Sequence, residues 1–307
     1  MTRFAVTVLG NNAALPAQGR HPTSQVLHYH DRNYLLDCGE GSQLQMQLFR
    51  IKTGRIGHAF ITHLHGDHFF GLIGLITSMH LHRRTAQLRV FGPEGLEEIV
   101  RVQLKHSQTE LNYPIVFIPV DTAVYQKIGE DSYLEFFSVP VQHRVPCCGF
   151  LFREKPQKPK FRKAELEKHG VRGAAVQALI RGEDFTDTNG LVVPNDTFSI
   201  PQPPRSYAFL GDTIFHQPVI ERVRNVDTLY HESTFLDADS ERAAERFHST
   251  AAQAATIAKE ANVKKLLLGH FSAKYKSTDL FESEAKTVFE NTVATEEGKT
   301  YAVGQSN

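Results

Sequence analysis

The amino-acid sequence predicts an α/β sandwich made of two similar halves, with a polar segment inserted between them. Three observations predict it. Short apolar runs of strand length alternate with stretches of helical spacing on both sides of the chain's middle. The text turns polar and basic after Phe152 and stays so until a proline cluster at Pro201, Pro203 and Pro204. Across 307 residues of 41% hydrophobic content there is ample material for a core, and no short repeat.

The elements follow in order. Phe4–Leu9 reads as a strand ending at Gly10-Asn11-Asn12, Ser24–His30 alternates, and Asn33–Asp37 is an apolar run closed by Cys38-Gly39-Glu40-Gly41. Gln43–Phe49 has helical spacing, Ala59–Thr62 is a strand, and Phe70–Leu81 reads as a buried helix. A strand at Leu88–Phe91, a helix over Leu96–Leu104, and strands near Val116–Val120 and Tyr133–Val141 complete the first part. From Arg153 to Arg172 there are eight Lys/Arg against three Glu, followed by one helical stretch at Ala174–Arg181 and few core candidates. Residues 153–205 therefore read as an inserted basic arm. Alternation resumes with strands at Tyr207–Leu210, Thr228–Tyr230 and Lys265–Leu268 and helices near Pro218–Arg224, Ala251–Ala261 and Phe281–Thr292.

The 34 Lys+Arg balance 34 Asp+Glu, which excludes a uniformly basic protein that holds phosphates by bulk attraction. Three cysteines, Cys38, Cys147 and Cys148, make no disulfide framework. The start carries no charged region followed by a long apolar one, and the longest nearly apolar run, Phe69–Met79, is too short to span a bilayer. A cytoplasmic protein with no membrane partner is expected. The 16 histidines are the anomaly.

Thr62-His63-Leu64-His65-Gly66-Asp67-His68 stands between an apolar strand and an apolar helix. It offers four ligands in six residues, with Gly66 to allow a tight turn, and one small ion can hardly accommodate all four. Two ions can, with His63 and His65 on one and Asp67 and His68 on the other. His143, Asp212 and His270 each follow a predicted strand, where open α/β sheets place functional groups, and Asp212 is placed to bridge.

Taken together, His63–His68, Asp37–Gly41, His143, Asp212 and His270 resemble the metallo-β-lactamase fold. Gly39-Glu40-Gly41-Ser42-Gln43, His231-Glu232-Ser233-Thr234, His248-Ser249-Thr250 and Gly269-His270-Phe271-Ser272, with the inserted arm, are most similar to the ribonuclease Z family of tRNA 3′-processing endonucleases. The resemblance implies a four-layer αββα sandwich over 1–307 with a flexible arm at 153–205. It implies two Zn²⁺ per subunit, Mn²⁺ being possible: His63, His65 and His143 on one, Asp67, His68 and His270 on the other, Asp212 between. It further implies a hydroxide supplied by the ions, attack on the phosphodiester, and release of a 3′ trailer from precursor tRNA with a 3′-hydroxyl left on the tRNA.

Asp67 has a second expected role in orienting or deprotonating the water. His248 is the expected acid for the leaving oxygen; it precedes a helix start with capping-box spacing at Thr250 and Gln253, so a carboxylate such as Glu232 is needed to keep it protonated. In the resembling family the arm clasps the tRNA elbow, often across a homodimer, which points to Lys158, Lys160, Arg162 and Lys163; Lys52 and Arg55 stand where the family has a basic loop. The usual Gly-Pro turn of the arm is missing, since Gly170-Val171-Arg172-Gly173-Ala174 has no proline. Cys147-Cys148 reads as packing rather than metal binding. Two other functions compete: a thioester, lactam or small-phosphodiester hydrolase of the same fold, and a metal-stabilised RNA-binding module without catalysis. The motif set and basic arm argue against the first, and the ligand set with a spare acid against the second.

Overall fold

The computed structural model describes residues 3–304. Its larger compact unit comprises 1–153 and 206–307, and 154–205 form a second. In the larger unit two seven-stranded sheets face each other. The first has the order β18-β1-β2-β3-β4-β5-β6: β18 (Thr300–Ala302), β1 (Phe4–Gly10), β2 (Ser24–Tyr29), β3 (Arg32–Cys38), β4 (Ile56–Phe60), β5 (Leu88–Gly92) and β6 (Ile115–Pro119). The second runs β17-β16-β15-β14-β9-β8-β7: β17 (Thr292–Ala294), β16 (Leu266–Gly269), β15 (Thr228–Glu232), β14 (Ser206–Leu210), β9 (Cys148–Glu154), β8 (Leu134–Pro140) and β7 (Gln126–Glu130).

The two inner faces meet in a core of aromatic and aliphatic side chains. Phe60 of the first sheet, for example, lies edge-on to Phe150 and Phe152 of the second at 5.3 and 4.9 Å between ring centres. On the outer face of the first sheet pack α1 (Ser42–Leu48), α2 (Gly66–Leu81) and α3 (Leu96–His106). On that of the second pack α7 (Val219–Arg222), α9 (Ala251–Glu260) and α10 (Asp279–Lys286). The layers are therefore αββα, as expected. Each sheet buries one face against its twin and the other against helices, which is why strands such as β1 and β14 are buried along their whole length.

The halves are not divided at the insertion. Strands β7 to β9 precede it yet belong to the second sheet, and β18 returns from the C-terminal end to pair with β1. Local apolar patterning marks a strand but not its sheet. Likewise the helix expected over Phe281–Thr292 stops at Lys286, and Thr292 begins β17 beside β16. The capping box is present: Thr250 Oγ1 accepts from Gln253 N at 3.2 Å, and Gln253 Oε1 accepts from Thr250 N at 3.0 Å.

The second unit is more structured than its polar text suggests. It holds α4 (Lys163–Lys168), α5 (Ala174–Ile180) and α6 (Asn195–Phe198), with β10 (Lys160–Phe161) paired to β13 (Ser199–Ile200) and β11 (Phe185–Thr186) to β12 (Val192–Val193). Val171, Leu179, Val193 and Phe198 make a small core of its own. Its two ends are tied by Glu154, whose carboxylate accepts from the Arg205 backbone N–H at 2.7 Å and from its guanidinium at 2.6 Å. Among the described residues no helix is long and apolar enough to cross a membrane.

Candidate metal centre

The segments that follow β4, β8, β14 and β16 bring the predicted residues together. The ligand atoms of His63, His65, His143 and Asp212 lie within 4.8 Å of one another, as do those of Asp67, His68 and His270. Asp212 faces both groups. Its Oδ2 lies 3.8 Å from His63 Nε2 and 3.7 Å from His143 Nε2; its Oδ1 lies 3.3 Å from His68 Nε2 and 3.0 Å from His270 Nε2. Asp67 Oδ2 is 3.5 Å from His68 Nε2 and 3.6 Å from His270 Nε2.

Hydrogen bonds behind the rings fix which nitrogen is free. His68 Nδ1–H donates to Asp37 Oδ2 at 2.7 Å. The Thr62 hydroxyl gives its one proton to Asp37, so its oxygen accepts from His63 Nδ1–H at 3.0 Å. Thr234 does the same on the other side: its hydroxyl donates to Glu232 Oε2 at 2.7 Å and accepts from His270 Nδ1–H at 2.9 Å. His143 Nδ1–H donates to the Phe247 carbonyl at 3.0 Å. Four rings are thus committed to present a bare Nε2 inward, and His65 presents Nδ1, only 3.0 Å from His63 Nε2 and 3.3 Å from His143 Nε2.

No hydrogen bond behind His65 fixes its tautomer, so its Nδ1 is free either to donate a proton to these nitrogens or to share a cation with them. Three of the inward atoms, His68 Nε2, His270 Nε2 and Asp212 Oδ1, are buried without any hydrogen-bond partner. The donors are nitrogen and oxygen. The residues therefore fit divalent cations of the zinc type.

Electrostatics agree. Burial pushes the His63 imidazole well below its ordinary value and lowers His65 and His143, which keeps these donors neutral. Burial would raise Asp67 and Asp212, yet His68 holds the Asp67 carboxyl far below the usual range and His270 with His68 does the same for Asp212. Asp212, Asp37 and Asp67 in turn raise His68 well above its ordinary value: the buried carboxylates demand positive charge at this spot, which a proton on His68 supplies where no cation does.

His248 also comes within 4.8 Å of the ligand atoms of Asp212 and His270, but its hydrogen bonding differs from that of the other rings. Its Nδ1–H donates to Glu232 Oε1 at 2.8 Å, and Glu232 is fully buried, accepting also from the N–H groups of Thr213 and Thr234. Burial opposes a charge on the ring, but Glu232 outweighs it and raises His248 to about 9. A protonated ring is a donor, not a ligand.

Gly66 is not in the left-handed region; it opens α2, and the Phe70 ring packs where a Cβ would sit. Left-handed backbone occurs instead at Asp37 (φ 51°) and His270 (φ 59°), strain of the kind that sets side-chain direction at functional sites. The cysteines stay outside the cluster: Cys147 Sγ is 3.6 Å from the Asp212 carbonyl, and burial pushes both thiols up. Lys52 and Arg55 are exposed, flanking and closing a 3₁₀ turn at Thr53–Arg55. In the second unit Lys158, Lys160 and Lys163 are exposed, whereas the Arg162 guanidinium is taken up by the carbonyls of Asp196, Thr197 and Ser199.

Over nearly its whole length the chain is similar to curated proteins named ribonuclease Z. It is 41% identical over 298 residues to that of Bacteroides fragilis strain YCH46 (97% of this chain, 98% of the relative). It is also 41% identical over 304 residues to that of Parabacteroides distasonis (99% and 100%). The chain belongs to the ribonuclease Z family. Among solved structures, the short form of human tRNase Z matches with a TM-score of 0.71 at 26% identity, covering 97% of this chain and 99% of that one. A metallo-β-lactamase-fold protein from Bacillus subtilis matches in fold, with a TM-score of 0.68 at 18% identity over 98% and 99%. A family profile described as anti-Pycsar protein Apyc1 matches residues 4–155. For a ribonuclease Z, Asp37, Thr62, Thr234 and the Phe247 carbonyl are the positions the sequence reading left without a role. Asp37, Thr62 and Thr234 stand inside the motifs without having been assigned a role; a backbone carbonyl leaves no sequence signal at all.

Proposed function

We propose that this chain is a metal-dependent endoribonuclease that removes the 3′ trailer from precursor tRNA. The observation that carries the reading is the division of Asp212, one carboxylate oxygen toward each of two converging donor sets. One cation would be held by His63, His65 and His143, the other by Asp67, His68 and His270, with Asp212 shared. Two zinc ions bound there supply Lewis acidity, neutralising charge that builds on the phosphate and acidifying a water.

The protein groups do the rest. Asp67 Oδ2 is fixed by the Ala14 N–H at 2.9 Å and orients the attacking water or takes its proton. His248 keeps Nδ1 on Glu232 and turns Nε2–H toward the substrate. As the bond from phosphorus to the tRNA 3′ oxygen breaks, that oxygen takes the His248 proton and leaves as a 3′-hydroxyl, and the trailer keeps the phosphate.

Lys158, Lys160 and Lys163 of the 154–205 unit, with Lys52 and Arg55, bind the RNA backbone. A homodimer is the working assembly; exposed Leu44 and Leu48 on α1 and Phe70 and Leu81 on α2 supply apolar surface for a second copy to cover. Three unpaired buried cysteines support a reducing, cytoplasmic setting.

The test is a 3′-labelled precursor tRNA incubated with zinc-loaded protein, with and without chelator. Release of an intact trailer bearing a 5′-phosphate, only with metal, is expected. Binding without cleavage, or cleavage indifferent to chelator, overturns the reading.

A further inference from the structure

The His248 ring and the His143 ring are fixed by one turn. Helix α8 (Ser240–Arg246) ends in a Schellman arrangement: His248 N–H reaches the Ala243 carbonyl at 2.9 Å and Phe247 N–H reaches the Ala244 carbonyl at 3.1 Å. The left-handed position of such a turn usually takes glycine; here it is Phe247, at φ 59° and ψ 45°. That conformation aims the Phe247 carbonyl at His143 Nδ1 and sends the next residue, His248, to Glu232. The two rings end 5.3 Å apart, centre to centre.

Something must hold the turn, because a short exposed helix end with a strained phenylalanine is prone to fray. Arg144, the residue after His143, does so from the opposite loop. Its Nη2 donates to the Glu245 carbonyl at 2.7 Å, one of the carbonyls the helix end leaves open, and its guanidinium carbon lies 5.8 Å from the centre of the Phe247 ring, within cation–π reach. One side chain therefore grips both the helix end and the strained residue, while its own backbone neighbour is the ring that the turn orients.

We infer that Arg144 is a positioning residue that clamps the Phe247 turn, thereby holding His248 against Glu232 and His143 toward its cation. This rests on the reading of His248 as the proton donor. Arg144 touches no reacting atom; it keeps two groups in register that do. A lysine can still donate to Glu245 but offers a single point charge in place of a guanidinium that reaches the carbonyl and the ring together.

The experiment compares Arg144→Ala, Arg144→Lys and His248→Ala in the zinc-loaded full-length protein on two substrates. Precursor tRNA has an alkoxide leaving group that needs a proton; bis-(p-nitrophenyl) phosphate has one that leaves without it. In Arg144→Ala, kcat on precursor tRNA should fall at least about tenfold more than on the aryl ester, with Arg144→Lys between it and wild type. Zinc isotherms of the metal-free Arg144→Ala variant should show one of two equivalents weakened on the order of tenfold, through His143. Equal losses on both substrates, or none, overturn the clamp on His248; an unchanged isotherm overturns the clamp on His143. If His248→Ala itself loses both substrates equally, the proton-donor reading falls. If only His248→Ala discriminates between them, the donor stands and the role of Arg144 falls.

Discussion

Replacing Glu232 by Gln should move the alkaline limit of catalysis. His248 is raised to about 9 chiefly because a fully buried carboxylate outweighs its burial. A group raised in the folded state keeps its proton below that value and loses it as pH rises through it, so wild-type turnover should be flat toward neutral pH and fall through about 9. Without the carboxylate the ring returns to its ordinary value of 6.5 or below. At pH 8 the protonated share then drops from about nine-tenths to roughly 3%, a loss of about thirtyfold. The assay is kcat for precursor tRNA from pH 6 to 10, with bis-(p-nitrophenyl) phosphate as the substrate that needs no acid. The limb should shift down by two to three units on the first and stay put on the second. The same sign governs stability: the His248 contribution, on the order of 3 kcal/mol and shared with Glu232, is complete below about pH 6.5 and lost through about 9. Because Glu232 also accepts from Thr213 and Thr234, the amide strands a donor against donors at about 1–3 kcal/mol, so a melt and a zinc count accompany each variant. A folded, zinc-loaded Glu232→Gln variant whose limb still lies at about 9 would refute the reasoning.

Asp37→Asn should weaken zinc binding about 10- to 100-fold in an isotherm, since His68 loses the carboxylate that fixes its ring; equal affinity would mean that the buried pair does not serve the metal. Asp212→Ala should reduce the zinc count of purified protein from two to one or fewer, and a retained count of two would remove Asp212 as the shared ligand. Arg153 and Ser206 are opposed across the β9–β14 ladder, so excising 154–205 and joining them by an Asn-Gly turn keeps the register. That variant should lose precursor tRNA cleavage by at least about a hundredfold while hydrolysing bis-(p-nitrophenyl) phosphate at near wild-type rate; parallel loss would show that the unit does not select substrate.

The residues that cluster at the candidate site are legible because metal chemistry constrains residue type and position in ways that the chain displays openly. His63, His65, Asp67 and His68 are crowded into six residues spanning the β4–α2 connection and the first turn of α2, and the other three each follow a strand. The partners behind them were not, because a threonine that passes a proton from one side and accepts from the other looks like any threonine in text. Thr62 and Thr234 acquire meaning only when β4 lies beside β3, bringing Asp37 within 3.0 Å, and β15 beside β16, bringing His270 within 2.9 Å. Sheet membership failed for the same reason. Strands β8 and β9 have the apolar runs of any strand and β7, Gln126–Glu130, has almost none; only the pairing of the ladders tells which sheet takes them.

The charge balance of the chain conceals two opposed halves of the second unit. Residues 154–205 carry nine Lys/Arg and seven Asp/Glu, hardly a basic domain by sum. Yet 155–172 hold seven of the nine against two Glu, and 183–196 hold four acidic residues and no basic one. Folding then sorts the basic set further. Arg162 is used on carbonyls and Arg205 is bound to Glu154, while Lys158, Lys160, Lys163, Lys168 and Arg172 stay exposed, Lys168 with Glu165 3.3 Å away. Coulomb forces between exposed charges fade over roughly 10 Å at ordinary salt, so a polyanion reaching this unit would meet the local set and not the sum. A neutral protein can thus present a short basic edge, provided its arginines with structural duties are not counted in it.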